Sequence, residues 1–127
     1  MKKIEVRCYF SLYERDDPKS PILNKEHKIW IGNFNIKDLE QLMERFININ
    51  NHDYGEYWKR QIVNWTISIQ VNEYDEFNRL ITHNTKTKIP CATWYCDFLT
   101  KDWIRSFKDS LPNVEKYYNF IQDLIKE

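Results

Sequence analysis

Between Ile62 and Tyr74 the chain reads IVNWTISIQVNEY, in which Val63, Trp65, Ile67, Ile69 and Val71 alternate with Asn64, Thr66, Ser68, Gln70 and Asn72. A pleated backbone turns successive side chains to opposite faces, so the stretch predicts a strand with one wholly apolar face. Such a face has to be covered by other parts of the chain. The opposite face carries amides and hydroxyls without charge, which leaves it open to water or available for hydrogen bonding to a partner.

A second strand is expected from Lys2 to Glu14, where Ile4, Val6, Cys8, Phe10 and Leu12 alternate with Lys3, Glu5, Arg7, Tyr9, Ser11 and Tyr13. Arg15 to Lys25 combines charges with Pro18 and Pro21 and reads as a connection. Glu26 to Phe34 returns as a strand. Ile29, Trp30 and Ile31 are consecutive there, which suggests burial on both faces or a strand end.

Asn35 is placed to cap a helix, with Asp38 completing a capping box and Phe34 and Leu39 at the two positions of a hydrophobic staple. The apolar face runs Ile36, Leu39, Leu42, Met43, Phe46 and Ile49, and the asparagines at 48, 50 and 51 are expected to end it. NHDYGEYWKR then leads irregularly into the central strand. Asp75 to Asn78 predicts a turn into a short strand, Arg79 to Thr82, and His83 to Lys88 a second turn. Ile89 to Phe98 fits a strand and a helix, and the strand is preferred with Pro90 at its start. Thr100 is placed to cap a helix carrying Trp103, Ile104 and Phe107. Pro112 marks a break or a new first turn before a last helix with Val114, Tyr118, Ile121, Leu124 and Ile125. The expectation is a single α+β domain over residues 1–127, an antiparallel sheet of four or five strands with amphipathic helices on one face.

Several classes of function are disfavoured. The 19 basic and 19 acidic residues balance, where a general nucleic-acid binder shows a basic excess or stripe. Gly32 and Gly55 are the two glycines and are far apart, which excludes a Gly-rich phosphate loop. MKKIEVRCYF does not read as a signal peptide, because Glu5 and Arg7 interrupt its apolar run, and no stretch has the length of a membrane span. Cys8, Cys91 and Cys96 lack CxxC spacing and fit reduced thiols, so a cytoplasmic protein is expected. His83, Cys91, Cys96 and Asp97 lack the paired spacing of a structural zinc site, and no metal or other cofactor is expected. His52, Asp53 and Glu56 form a compact acid/base group, read as a polar loop rather than a catalytic site, so an enzyme is not expected. Heavy use of Lys, Asn and Ile suggests an AT-rich coding sequence, bacterial or phage.

The candidate binding residues fall in two acidic, aromatic segments: Asp53, Tyr54, Glu56, Tyr57 and Trp58 before the central strand, and Glu73, Tyr74, Asp75, Glu76 and Phe77 after it. Exposed Tyr and Trp are enriched at interface hot spots, and carboxylates steer a basic partner. Alanine at Asp53, Glu56, Asp75 and Glu76 is expected to leave folding intact and to slow association.

With its start MKKIEVRCYFSLYE and its segments DYGEYW and EYDEF, the chain resembles in general habit the small immunity proteins that bacteria encode beside secreted or contact-delivered toxins. The resemblance implies a binder that occludes the active site of one cognate protein toxin, commonly a nuclease. An acidic face would suit a toxin with a basic cleft. The alternative is a small enzyme or ligand-binding domain with a pocket between sheet and C-terminal helices, lined by Trp94, Trp103 and Tyr118. A third reading is a structural phage or oligomerisation protein, favoured if the polar strand edge pairs between copies, and the sequence leaves monomer and homodimer both open.

Overall fold

The computed structural model describes residues 1–13, 24–54, 62–82, 91–96 and 102–126. The fold is α+β, with two long strands at its centre. β1 (Lys2–Tyr13) lies between β2 (Asn24–Ile31) and β3 (Ile62–Tyr74), and the far side of β3 is shared by β4 (Leu80–Thr82) and β5 (Ala92–Tyr95). All pairings are antiparallel. Along β1 and β3 the register is unbroken from Lys2 opposite Glu73 to Tyr13 opposite Ile62. Ile4, Val6, Cys8, Phe10 and Leu12 therefore share a face with Val63, Trp65, Ile67, Ile69 and Val71, and all ten are buried.

The two helices, α1 (Ile36–Tyr54) and α2 (Trp103–Ile125), bury their apolar stripes in the same core as that face. Phe10 is at the junction, with ring centroids of Phe46 and Phe107 each 5.1 Å away and Trp103 at 5.8 Å. Trp65 stands edge-on to Phe107 at 5.2 Å. These aromatic contacts tie β1 to both helices and β3 to α2. Cys8 lies within this core, and burial pushes its thiol well above the ordinary range.

The start of α1 follows the predicted signals: the Asp38 carboxylate accepts from the Asn35 amide at 3.1 Å. Phe34 packs between Trp30 at 5.3 Å and Tyr118 at 5.0 Å. The end differs from expectation, because α1 continues through Asn48, Asn50 and Asn51 to Tyr54. Asparagine weakens a helix by only some tenths of a kcal/mol per residue relative to its neighbours in the propensity scale. A residue with a stronger stop signal, Gly55, comes next in the sequence. His52 and Asp53 therefore belong to a helix rather than a polar loop.

A larger correction concerns the C-terminal half. The two expected helices are one, and Pro112 lies inside it. The buried stripe Trp103, Phe107, Ser110, Leu111, Val114, Tyr118 and Ile121 keeps helical phase across the proline. Interior proline costs about 3 kcal/mol, whereas burying a large apolar side chain stabilises by roughly 1.5–3 kcal/mol. Val114, Tyr118 and Ile121 together outweigh the break. The residue before Trp103 is Asp102, whose carbonyl accepts from Ser106, and the expected cap Thr100 lies outside the described residues.

Gly32 closes β2 at a φ of 86°, in the left-handed region that favours glycine. Its amide donates to Ile4 at 3.0 Å, and its carbonyl accepts from the Tyr118 hydroxyl at 3.1 Å. One glycine thus joins β1, β2 and α2. The predicted turn at Asp75 to Asn78 and the hairpin to β4 are present, as is the preferred strand at Ala92–Tyr95. The predicted turn at His83 to Lys88 and residues 15–23 of the expected connection lie outside the described residues.

Candidate functional site

The second face of the sheet defines the candidate site. Strand parity places Lys3, Glu5, Arg7, Tyr9 and Ser11 of β1 there, with Asn64, Thr66, Ser68, Gln70 and Asn72 of β3. Rows run across it in register. Ile29, Arg7, Ser68 and Thr93 form one row, and His27, Tyr9, Thr66 and Tyr95 the next. Among the described residues both helices bury their stripes on the other side. On this open face Ile29 is 40% exposed, Ile31 51% and Tyr95 70%.

The isoleucines decide between two expectations: β2 ends at Ile31, as the strand-end alternative has it, and burial on both faces does not occur. Of Ile29, Trp30 and Ile31 only Trp30 turns to the core, opposite Val6. Parity sends its two neighbours to the open face. The clue is in the sequence: IWI breaks the alternation, so two apolar residues must join whichever face is otherwise polar.

At one end of this face a polar cluster is buried. The Glu5 carboxylate, in a residue only 4% exposed, pairs with Arg7 and accepts from Asn72 Nδ2 at 2.8 Å. Asn72 is fully buried and its Oδ1 has no hydrogen-bond partner among the described residues. Tyr74 is on the same side of β3, with Lys3 Nζ 5.4 Å from its ring centre. Burial, followed by the negative charge of Glu5, raises the Tyr74 hydroxyl above its usual range, while Asn72 and Arg7 act in the opposite sense. Tyr74, expected at the surface, is only 8% exposed. Its position two residues beyond Asn72 brings it beside β1, and the register shift between Glu73 and Tyr74 accommodates the start of β4.

Asp75 differs from expectation as well. Its Oδ1 accepts from the amides of Phe77 at 2.8 Å and Arg79 at 2.9 Å, and its own amide donates to the Arg79 carbonyl at 2.9 Å. Asn78 completes the turn at a φ of 62°, and Lys3 Nζ donates to its Oδ1 at 2.9 Å. Asp75 is thus a turn-forming residue rather than a free surface charge. Arg79 lies 3.4 Å from Asp75 Oδ2 and over the Phe77 ring at 5.1 Å. Glu73 is half-buried, whereas Glu76 and Phe77 are exposed. The acidic character of this segment is offset by Arg79 and Lys3.

Of the first segment, Asp53 and Tyr54 contribute backbone to the last turn of α1, and their side chains lie outside the described residues together with Glu56, Tyr57 and Trp58.

The three residues named for an aromatic pocket sit in different surroundings among the described residues. Trp103 is consumed by the core, Trp94 packs on Tyr117 at 6.0 Å, and Tyr118 on Phe34. A cleft of about 550 Å³ lies instead between α1 and α2, lined by Ile36, Met43, Leu111 and Pro112 with Glu40, Glu44, Lys108 and Glu115. Cys96 is buried and donates its thiol to the Val63 carbonyl at 3.0 Å, whereas Cys91 is exposed with its sulfur 3.6 Å from Gln70 Oε1. His83 and Asp97 lie outside the described residues. Among the described residues no group of three or more His, Cys, Asp or Glu is placed to hold a metal ion, and no helix is long and apolar enough to cross a membrane.

Comparison of the chain with protein-family models, with curated proteins and with solved structures yields no match.

Proposed function

We propose that the chain acts by binding another protein, as an inhibitor that neutralises a cognate bacterial toxin by covering its active site. The open face of the sheet is the surface it uses. One observation carries this reading: Ile29, Ile31 and Tyr95 are exposed on a face whose middle is an uncharged row of Thr66, Ser68 and Gln70. Apolar and aromatic anchors beside uncharged hydrogen-bonding groups are the composition of a protein interface. Single exposed apolar residues are ordinary, but these lie in adjoining rows of one rigid sheet.

The charge pattern refines the partner. Arg7, His27 and Lys25 occupy the face itself and Glu73 shares the parity of Val71 on the other side, so attraction for a basic toxin rests on Glu76 in the turn at the end of β3. A ligand-binding or enzymatic reading would need convergent polar groups in a deep cavity. The open cleft between the helices and a smaller pocket beside Phe34 and Tyr118 are the support for it among the described residues.

Co-expression with the toxin encoded beside it measures inhibition as restored growth. The wild type should rescue, Ser68→Arg at the centre of the face should not, and Lys116→Glu at an exposed position of α2 should. Rescue by Ser68→Arg equal to wild type would sink the open face as the surface, and no rescue by the wild type would sink the inhibitor reading.

A further inference from the structure

β2 is the last strand on its side of the sheet among the described residues, and the direction of its outer groups can be worked out. Gly32 donates to Ile4, which makes them a hydrogen-bonded pair in the β1–β2 ladder. Hydrogen-bonded and non-hydrogen-bonded pairs alternate in an antiparallel ladder, so the even-numbered residues of β2 face β1. His27, Ile29 and Ile31 therefore turn their amides and carbonyls away from it. The pairing with β1 runs from Asn24 to Ile31 without a register shift, and the strand contains neither Pro nor Gly. Natural edges of this length are usually blunted, commonly by a lysine. Here Lys28 has that place, exposed on the helix side of the sheet, in a cleft shared with Asp38 and Arg45 of α1.

We infer that the β2 edge pairs with the β2 edge of a second copy of this chain, antiparallel across a two-fold axis centred on His27. The register follows from charge. An outward-facing residue must meet an outward-facing residue, so the axis passes through a residue rather than between two. Centred on Lys28, the two lysines oppose each other; centred on Glu26, the two glutamates do. Centred on Ile29, Lys28 meets Trp30 and its charge is unmatched. With the axis at His27, Glu26 of each copy faces Lys28 of the other in both flanking non-hydrogen-bonded pairs, where side chains approach most closely. Within one chain Glu26 is held by Arg45 at 3.0 Å, so its carboxylate is already oriented on that side of the sheet. The lysine that discourages unrelated strands thus becomes the group that selects this one. The result is a continuous sheet of double width, with two open faces side by side and all four helices on the other side.

Edge pairing and toxin binding use different surfaces, and their tests are independent. Sedimentation equilibrium of the full chain over a concentration series should show a monomer–dimer equilibrium. Lys28→Glu and Glu26→Lys should each weaken it by about ten- to thirty-fold, because both flanking pairs become like-charged. An equimolar mixture of the two variants should restore the dimer, since each supplies the charge the other lacks. A wild type that stays monomeric up to a concentration on the order of 1 mM overturns the inference. So do variants that dimerise as tightly as the wild type. If circular dichroism shows a variant to be unfolded, amide exchange on the wild type decides: His27 and Ile29 should exchange more slowly as concentration rises, and unchanged rates overturn the pairing.

Discussion

The two faces of the sheet are written by the same two strands, one residue out of phase, and they differ in nearly every physical respect. On the helix side, Phe10 and Trp65 meet residues of α1 and α2 in an aromatic core from which water is excluded. On the other side, Tyr9, Thr66 and Ser68 remain partly exposed between Ile29, Ile31 and Tyr95. The covered face is where stability resides, and its side chains are inaccessible to a partner. The open face is inexpensive to change and is where recognition can be placed. The buried Glu5 and Asn72 pair is the exception, a structural cluster on the open side.

The comparison is broken most severely from the core. Phe10→Ala should lower stability by about 3–5 kcal/mol, because it removes a ring packed on three others and leaves a cavity. Urea denaturation gives the value. On the open face the largest effect should come from Asn72→Ala, which deprives a buried carboxylate of a donor at a cost of about 2 kcal/mol. A chemical melt should register this loss, and a neutral substitution would mean that the cluster is solvated. Asp75→Ala removes two amide acceptor contacts from the β3–β4 turn and should cost about 1–2 kcal/mol, with local loss of amide protection at Phe77 and Arg79. The smallest effect belongs to Ser68→Ala. A change within about 0.5 kcal/mol is expected there, as for surface substitutions generally, and a larger one would mean the open face is covered.

Much of the fold is legible because alternation is a local signal. Val63 to Asn72 and Ile4 to Leu12 state their own periodicity, and both strands and their inward residues follow directly. Asn35 and Asp38 likewise announce the start of α1 within one turn. The features that escape a local reading depend on distant parts of the chain. Pro112 looks like a break in its own neighbourhood, yet the helix continues because Val114, Tyr118 and Ile121 are held in the core. Tyr74 sits in an acidic run next to a turn and has the look of a surface residue. Lys3 over its ring and Glu5, whose charge acts on its hydroxyl, lie some seventy positions away in sequence and reach it only through the pairing of β1 with β3. Asp75 looks like a free charge because a turn's internal hydrogen bonds leave little trace in composition. Of the candidate site, the uncharged row on β3 is visible from its alternation. The anchors Ile29, Ile31 and Tyr95 require the register of β2 and β5 against it.

The central claim is that the partner is met by the open face. A photoreactive amino acid placed at Ser68, and separately at Glu115 in the cleft between α1 and α2, can be irradiated in the presence of the proposed partner toxin. Crosslinking from Ser68 and little from Glu115 is the predicted result. Crosslinking from Glu115 with none from Ser68 would place the partner on the helices and contradict the account.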